Sequence, residues 1–468
     1  MKQVYNPYLP LWEHVPDGEP HVFGDRIYVY GSHDRSHGAT FCMEDYVCWS
    51  APVEDLGDWR CEGVIWRKRD DPDNHDPVGY LYAPDVAQGP DGRYYLYYFF
   101  TGSKKRKPTI RMAVCDTPAG KYTFYGEVKL KRDKRFLFFD PAVYVDEDQR
   151  VWLYYGSAFQ GPQDMLTVQG GAVVELAPDM LTPISEPKLT VPNVSHQKGT
   201  GFEGHAFFEA SSMRKIKGKY YFIYSSMLSH ELCYAVADRP DGPFTYGGTI
   251  ISNGDIGLNG NKMPVYPTGN NHGSLVEIGG QWYVFYNRQT QGTAFSRQGC
   301  AERVSILPDG TIPQVAITSC GLSGKQLEAV GSYPAAICCH LTGKSKPVVQ
   351  EEEESGEKIS FVQGLHSGDT VGWKTFAFTG QHRLCVTWRA SMSGVGMMKA
   401  MNPAWMKTPG KLEILSAPDG EVLGSILIPG HTGDWETTEG SFILSGDHAL
   451  YLRFKGKGGI DLIEIAFV

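Results

Sequence analysis

The sequence predicts an all-β protein, a five-bladed β-propeller followed by a C-terminal β-sandwich of the jelly-roll type. Three observations predict this fold: an aromatic strand pattern recurs five times, shorter alternating strands follow it, and helical periodicity is scarce. At 468 residues, the chain also exceeds the length over which a single hydrophobic core usually grows.

The aromatic pattern predicts the blades. Each copy follows a turn rich in glycine or acidic residues, and aromatic and β-branched residues after such a turn are typical of buried strands. A regular spacing of roughly 60 residues is typical of propeller blades. The copies are 26–30 (RIYVY), 93–98 (RYYLYY), 150–155 (RVWLYY), 219–224 (KYYFIY) and 281–286 (QWYVFY). We therefore expect blades over 21–59, 81–126, 138–175, 205–248 and 272–311.

The domain boundaries follow from a change in composition. We expect the propeller to occupy residues 1–320, a connecting segment residues 321–344 and the β-sandwich residues 345–468. An acidic run at 351–358 is expected to be a solvated loop or linker. Short alternating strands without helices then continue to the C-terminus, as in a β-sandwich.

Composition and charge exclude several classes of partner. A net charge of -9 argues against nucleic acid or an anionic membrane surface, and no run of about 18 apolar residues predicts a membrane span. The N-terminus has no signal-peptide pattern, and the ten cysteines form no CxxC pair. We therefore expect a cytoplasmic protein with free thiols, and its oligomeric state stays open.

Three acidic residues stand where the first strand of a blade should begin, near the propeller axis. They are Asp17, Asp140 and Glu209. Breaking a glycosidic bond takes one protonated and one ionised carboxyl group. Aromatic neighbours would desolvate Glu209 and raise its pKa, as a general acid requires. The alternative for each residue is an ordinary turn or cap carboxylate.

Several motifs together resemble glycoside hydrolase family 43. They are NPYLP near the start, Asp17 two residues before Glu-Pro, FDP at 139–141, FEASSMRK at 208–215 and GNNHGSLV at 269–276, and the resemblance covers about residues 5–315. It implies Asp17 as general base, Asp140 as pKa modulator and Glu209 as general acid.

The resemblance also implies an activity. It implies an inverting exo-glycosidase that removes terminal α-L-arabinofuranosyl, or β-D-xylosyl, residues from plant-derived oligosaccharides, with arabinofuranosidase favoured. A β-xylosidase, an endo-arabinanase and a non-catalytic sugar-binding propeller stay open as alternatives. The expected partners are arabinose- or xylose-containing oligosaccharides.

The base has a second candidate. The family usually has proline after this aspartate, whereas Gly18 follows Asp17 and Glu19 precedes Pro20. Counting back without a gap from the first aromatic strand gives Asp17. Glu19 stays the alternative.

Supporting residues follow from the same resemblance. His272 corresponds to the family histidine on the propeller axis, which holds water or a calcium ion, and a buried core histidine is the alternative. No cofactor is required, and a structural calcium ion on the axis is possible. His33, Tyr82 and Arg297 are expected to line the subsite for the terminal sugar.

Residues 345–468 contain the motifs VGW at 371–373, GDW at 433–435 and GGIDLIE at 458–464. Through these motifs the C-terminal region resembles carbohydrate-binding module family 6. In that family Trp373 and Trp435 would enclose a sugar ring between them. Gly459 stands where the family has a ligand-binding asparagine. A sandwich without sugar binding therefore stays open as an alternative.

Overall fold

A computed structural model describes residues 3–74, 79–101, 109–131, 133–158, 167–393, 409–430 and 433–468. Almost all regular structure in these ranges is β-strand. The exceptions among the described residues are short 3₁₀ helices at Lys68–Asp70, Leu258–Gly260, Gly321–Ser323 and Ala335–Ile337. None of the described helices has the length and hydropathy that crossing a bilayer demands.

The first three blades are four-stranded antiparallel sheets, each with its strands in chain order. Blade one contains β1 (Glu19–Phe23), β2 (Arg26–Tyr30), β3 (Tyr46–Pro52) and β4 (Arg60–Trp66). Blade two contains β5 (Tyr80–Gln88), β6 (Tyr94–Thr101), β7 (Ile110–Cys115) and β8 (Thr123–Glu127). Blade three contains β9 (Ala142–Val145), β10 (Val151–Tyr155), β11 (Gly170–Leu176) and β12 (Lys188–Pro192).

Blade four is also four-stranded, whereas the described sheet of blade five has three strands. Blade four contains β13 (Phe207–Ile216), β14 (Lys219–Ser226), β15 (Glu231–Ala237) and β16 (Thr245–Ser252). Blade five contains β17 (Ser274–Ile278), β18 (Gln281–Gln289) and β19 (Arg297–Val304). The predicted five-bladed propeller is confirmed, and every copy of the aromatic pattern forms the second strand of its blade.

The first strands of the blades surround the axis. β1 contacts β5, β5 contacts β9, β9 contacts β13, β13 contacts β17, and β17 contacts β1. Residues at the starts of these strands therefore converge at one end of the axis, although they are far apart in sequence.

The N-terminal segment closes the ring at blade five. The Tyr8 amide donates to the Gly299 carbonyl over 3.3 Å. The Asn6 side chain donates to the Ala301 carbonyl over 3.0 Å and accepts from the Ala301 amide over 2.8 Å. Through these bonds the N-terminal segment lies against β19, the last strand of the propeller.

Aromatic and aliphatic side chains fill every gap between neighbouring blades. Tyr97 of blade two and Leu153 of blade three, for example, lie fully buried in one cluster. Each such side chain contributes about 1.5–3 kcal/mol of transfer free energy. The recurring aromatic pattern is therefore the packing surface between blades.

The C-terminal region forms one extensively hydrogen-bonded β system in the order β23-β24-β29-β25-β28-β26-β27. Its strands are β23 (Val348–Glu354), β24 (Glu357–His366), β25 (Thr370–Ala390), β26 (Gly410–Leu415), β27 (Gly424–Ile428), β28 (Glu436–Lys455) and β29 (Gly459–Phe467). Three short strands precede it and pair with β25 or β29: β20 (Leu327–Glu328), β21 (Gly331–Pro334) and β22 (His340–Thr342). The predicted connecting segment thus contributes strands to the C-terminal sheet system.

The long strand β25 contributes residues to both layers of the sandwich. Its first residues pair with β22, and its last residues pair with β29. The side chains between the layers are apolar and buried, and this core continues into the gap between blades four and five. The two domains therefore share one hydrophobic cluster.

The acidic run at 351–358 is not the solvated loop that the sequence predicts. It forms the hairpin between β23 and β24, in which Glu354 pairs with Glu357. Glu351 is buried, whereas Glu353 and Glu354 are exposed. Glu351 and Glu353 share a face of the strand, so position along the strand explains the difference. Glu351 lies beside His14 of the propeller, whereas Glu353 and Glu354 lie next to the hairpin turn.

Candidate active site

A cavity of about 690 Å³ lies where the first strands of the blades begin. All five blades contribute to its wall. The three predicted carboxyl groups, Asp17, Asp140 and Glu209, line this one cavity.

Asp17 lies at the cavity wall directly before β1. Its φ is +57°, a left-handed conformation that aspartate tolerates better than most residues. Its Oδ1 accepts from Asn287 Nδ2 over 2.8 Å and from Arg297 Nη1 over 2.6 Å. Burial alone would raise the pKa of Asp17, but the charge of Arg297 and the hydrogen bonds outweigh it and lower that pKa. Asp17 is therefore an ionised carboxylate at neutral pH.

Glu19 lies outside the cavity wall. It is the first residue of β1, and its Oε2 pairs with Arg214 Nη2 over 2.9 Å. His21 and Asp85 lie beside it and are hydrogen-bonded to each other over 2.7 Å. Glu19 thus belongs to a polar cluster among the innermost strands.

Asp140 and Glu209 are tied together through the backbone. Asp140 also has a left-handed φ, +41°, and its Oδ2 accepts from the Ala210 amide over 3.1 Å. Ala210 follows Glu209 in β13 and has a φ of +66°. Left-handed residues other than glycine cost of order 1–3 kcal/mol each and concentrate at functional sites.

Burial and mutual repulsion raise the pKa values of this pair. Desolvation, followed by the Asp17 charge, raises the pKa of Glu209 to about 8. Desolvation and the charges of Glu209 and Asp17 raise the pKa of Asp140 as well. The pair therefore titrates as a unit and retains a proton at neutral pH. The Ala210 amide donates to Asp140 and by itself favours the ionised form of that carboxyl group.

Arg297 lines the cavity, and its contacts make it a partner of Asp17. Its Nε and Nη2 donate to the two carboxylate oxygens of Asp34 over 2.9 and 3.1 Å. Its Nη1 donates to Asp17 and, over 2.6 Å, to Asn270 Oδ1. Asp34 directly follows His33 in sequence, but only the geometry identifies it as the residue that fixes Arg297.

His272 lies on the axis between two of the carboxylates. Its Nδ1 is 3.7 Å from both Asp17 Oδ1 and Asp140 Oδ2. Burial lowers the pKa of His272 to about 4, so the imidazole is neutral at neutral pH. The next residue must be glycine, because a Cβ at Gly273 would lie 1.9 Å from the Phe285 carbonyl oxygen.

The carboxylate oxygens nearest His272 are already hydrogen-bonded within the protein. Calcium takes six to eight oxygen ligands, but Asp17 Oδ1 already accepts from Arg297 and Asn287, and Asp140 Oδ2 accepts from a backbone amide. The described clusters with metal-ligating geometry lie elsewhere, at His205–Glu231–Cys233 and Glu19–His21–Asp85. His272 is therefore a neutral neighbour of the carboxylates.

Aromatic rings form much of the remaining wall. Tyr82 lines the cavity as predicted, and its ring lies 5.3 Å from that of Phe139 and 6.0 Å from that of Phe99. The phenylalanines of the wall are Phe41, Phe99, Phe136, Phe138, Phe139 and Phe208. Phe138, Phe139 and Phe208 lie next to Asp140 or Glu209 in sequence, so their place in the cavity wall could be predicted from these motifs. Nothing in the sequence around Phe41 predicts that it lines the cavity.

The prediction that His33 lines the sugar subsite is wrong. Its Nε2 bonds Glu13 Oε1 over 3.0 Å, and its Nδ1 donates to the Asp45 carbonyl over 2.8 Å. Both ring nitrogens are engaged within the protein, and the residue is not part of the cavity wall.

The predicted accessory sugar site between Trp373 and Trp435 is also wrong. Trp373 is 0% exposed, and its indole donates to the Ala335 carbonyl over 3.1 Å. A ring with no exposed face has none to offer a sugar. Trp435 packs against Phe361 and lies under the Arg389 guanidinium.

The sequence model of glycosyl hydrolases family 43 matches residues 13–312. A xylosidase/arabinosidase of Thermoclostridium stercorarium is 44% identical over 488 residues, covering 98% of each chain. An arabinoxylan arabinofuranohydrolase of Paenibacillus polymyxa is 26% identical and covers 97% of this chain and 73% of its own.

Solved structures show the same architecture. A β-xylosidase/α-arabinofuranosidase from a compost microbial metagenome, in complex with xylotriose, covers 67% of this chain and 98% of its own at 27% identity and a TM-score of 0.55. An arabinoxylan arabinofuranohydrolase from Bacillus subtilis covers 99% of this chain and 97% of its own at 20% identity and a TM-score of 0.54, a similarity of fold.

Proposed function

Because the chain belongs to glycosyl hydrolases family 43, it is a glycoside hydrolase for arabinose or xylose residues, and we propose that it removes them from oligosaccharide ends with inversion of the anomeric centre. The observation that carries the proposal is the opposite shift of two pKa values in one cavity. The pKa of Asp17 is lowered and that of Glu209 is raised to about 8. An inverting glycosidase needs this pairing of an ionised base and a protonated acid.

Glu209 is the proposed general acid. It donates its proton to the glycosidic oxygen as the bond to the leaving group breaks. Phe208 beside it in β13 excludes water, and this burial keeps the carboxyl protonated at neutral pH.

Asp17 is the proposed general base. Its carboxylate accepts a proton from a water molecule, and the water oxygen then attacks the anomeric carbon from the face opposite the leaving group. Arg297 and Asn287 fix the orientation of the carboxylate. Base and acid in such enzymes stand about 6.5–9.5 Å apart, which leaves room for the water.

Asp140 is the proposed pKa modulator. The charge of Glu209 raises the pKa of Asp140, and the Ala210 amide holds Asp140 Oδ2 at 3.1 Å. Because like charges oppose one another, an ionised Asp140 would in turn disfavour ionisation of Glu209. All proton transfers thus use side chains of the chain itself and water.

For the sugar, we favour the α-L-arabinofuranosyl group over the β-D-xylosyl group. The relative from Paenibacillus polymyxa, which matches nearly the whole of this chain, is named as an arabinoxylan arabinofuranohydrolase. β-Xylosidase activity is the second candidate, because the relative from Thermoclostridium stercorarium is named for both sugars.

The test is hydrolysis of aryl α-L-arabinofuranoside and aryl β-D-xyloside by wild type, Asp17→Asn and Glu209→Gln. Asp25→Asn, a change at an exposed turn of blade one, is the matched control. We expect faster release from the arabinofuranoside, a large loss in Asp17→Asn and wild-type rates in the control. Wild-type protein that cleaves neither substrate would contradict the proposal.

A further inference from the structure

Glu351 is a buried carboxylate of the C-terminal domain that faces the propeller. It is 6% exposed, unlike its neighbours Glu353 and Glu354 on the same strand β23. Its Oε1 lies 3.2 Å from Lys358 Nζ, and its Oε2 lies 3.6 Å from His14 Nε2. Burying a carboxylate is costly unless charged or polar partners compensate it. Lys358 of the same hairpin is one such neighbour, and His14 is the neighbour from the propeller.

One path of contacts runs from Glu351 through His14 to the active site. The His14 carbonyl accepts from the Asp34 amide over 3.0 Å. The Asp34 carboxylate accepts from the Arg297 amide over 3.1 Å, in addition to its two bonds from the guanidinium. Arg297 in turn donates to Asp17 over 2.6 Å.

A second path begins at the backbone of the same residue. His37 Nε2 donates to the Glu351 carbonyl over 3.0 Å. The His37 amide donates to Ser296 Oγ over 2.9 Å, and Ser296 Oγ donates to the Arg35 carbonyl over 3.3 Å. Ser296 directly precedes Arg297, so both paths end at this arginine.

Packing supports the same arrangement. The Val348 side chain of β23 lies so close to Gly292 that a Cβ there would be 3.3 Å from three of its atoms. The loop between β18 and β19, which leads into Arg297, is thus covered by the C-terminal strand.

We propose that Glu351 is a positioning residue, through which the C-terminal domain holds Arg297 and hence the carboxylate of Asp17 in the geometry that catalysis needs. The inference rests on the proposed function of this cavity. It assigns the C-terminal domain a part in the catalytic centre, in place of the accessory sugar site that its tryptophans cannot form.

The expected effect is on turnover. Small displacements of a catalytic group can cost on the order of 100-fold in rate. Glu351 touches neither the cavity nor the sugar, so its loss leaves substrate binding intact. Glu351→Ala is therefore expected to lower kcat about tenfold with little change in KM, and Glu351→Gln by a smaller factor.

The experiment measures kcat and KM on the aryl glycoside that wild type cleaves. Variants are Glu351→Ala, Glu351→Gln and His14→Ala, the last of which removes the other side of the contact. The control is Glu353→Gln, an exposed glutamate two residues along β23. Thermal unfolding of each variant separates loss of fold from loss of turnover.

A double-mutant cycle tests the path itself. The effects of Glu351→Ala and Asp34→Asn on kcat are expected to be non-additive. The kcat of the double variant should differ by at least about threefold from the value that the two single variants predict. The effects of Glu353→Gln and Asp34→Asn are expected to be additive. If Glu351→Ala unfolds, the same cycle with His14→Ala decides.

The outcomes separate the two proposals. An inactive wild type contradicts the proposed function. An active wild type whose Glu351 and His14 variants keep the control's kcat, or raise KM alone, overturns the positioning role and leaves the proposed function standing.

Discussion

At Asp17 the backbone is left-handed, and this conformation separates two carboxylates that lie two residues apart. On a regular strand, residues two apart share a face. The φ of +57° at Asp17 interrupts the extended chain before β1 begins at Glu19. Asp17 therefore points into the cavity, and Glu19 pairs with Arg214 among the innermost strands.

The first prediction separates the two candidates for the base. Asp17→Asn is expected to lower kcat on activated and natural substrates alike, because every substrate needs an activated water. Glu19→Gln is expected to leave KM unchanged, since Glu19 does not line the cavity, and to lower the temperature of unfolding through the loss of charge opposite Arg214.

Azide rescue is the decisive measurement for that pair. Azide is expected to restore turnover to Asp17→Asn and to give a glycosyl azide. If azide instead rescues Glu19→Gln alone, Glu19 is the base.

The second prediction concerns the acid. Below its pKa of about 8 Glu209 is protonated and active, and its proton is lost as pH rises through that value. The alkaline fall of kcat/KM is therefore expected near pH 8 and should disappear in Glu209→Gln. The variant should slow substrates with poor leaving groups by about 10² to 10⁴-fold and activated aryl glycosides much less. Equal losses on both substrate types would contradict the role.

Among the elements, the N-terminal segment is held in part by the side chain of Asn6. Asn6 makes hydrogen bonds to both backbone groups of Ala301, to Glu302 Oε1 over 2.8 Å and to the Thr318 carbonyl over 3.2 Å. The described sheet of blade five has three strands. The segment that carries Asn6 therefore lies along β19, at the outer edge of that sheet.

The third prediction tests this closure. Asn6→Ala leaves the buried Ala301 groups without partners, and each unsatisfied group costs about 1–3 kcal/mol. We expect a lower midpoint of thermal unfolding, measured by circular dichroism, with kcat unchanged below the transition. A wild-type midpoint would show that the closure contributes no stability.

For the whole molecule, local pattern predicts the blades well because each blade is a local antiparallel sheet. The aromatic repeats locate all five second strands, and the motifs around Asp140 and Glu209 place both residues in the cavity. The failures involve long-range contacts. Burial of Trp373 depends on packing within the sandwich, and the hairpin of the acidic run joins the sheet where β24 pairs with β29. His33 fails because Glu13 and Asp45, both distant in sequence, occupy its nitrogens.

Two further predicted properties are the cellular location of the protein and a metal ion on the propeller axis. Cytoplasmic location and a calcium ion on the axis stay predictions. All ten cysteines are unpaired, as the sequence indicates.

The most direct test of the central claim is the configuration of the first sugar released. Hydrolysis of an aryl α-L-arabinofuranoside, or of an aryl β-D-xyloside if that is the better substrate, is followed by proton NMR before the product mutarotates. With Asp17 activating water on the face opposite the proton donor Glu209, the first-formed sugar is expected to have the inverted anomeric configuration. Retained configuration would mean that a carboxylate attacks the sugar directly, and would contradict the assignment of Asp17 as a base.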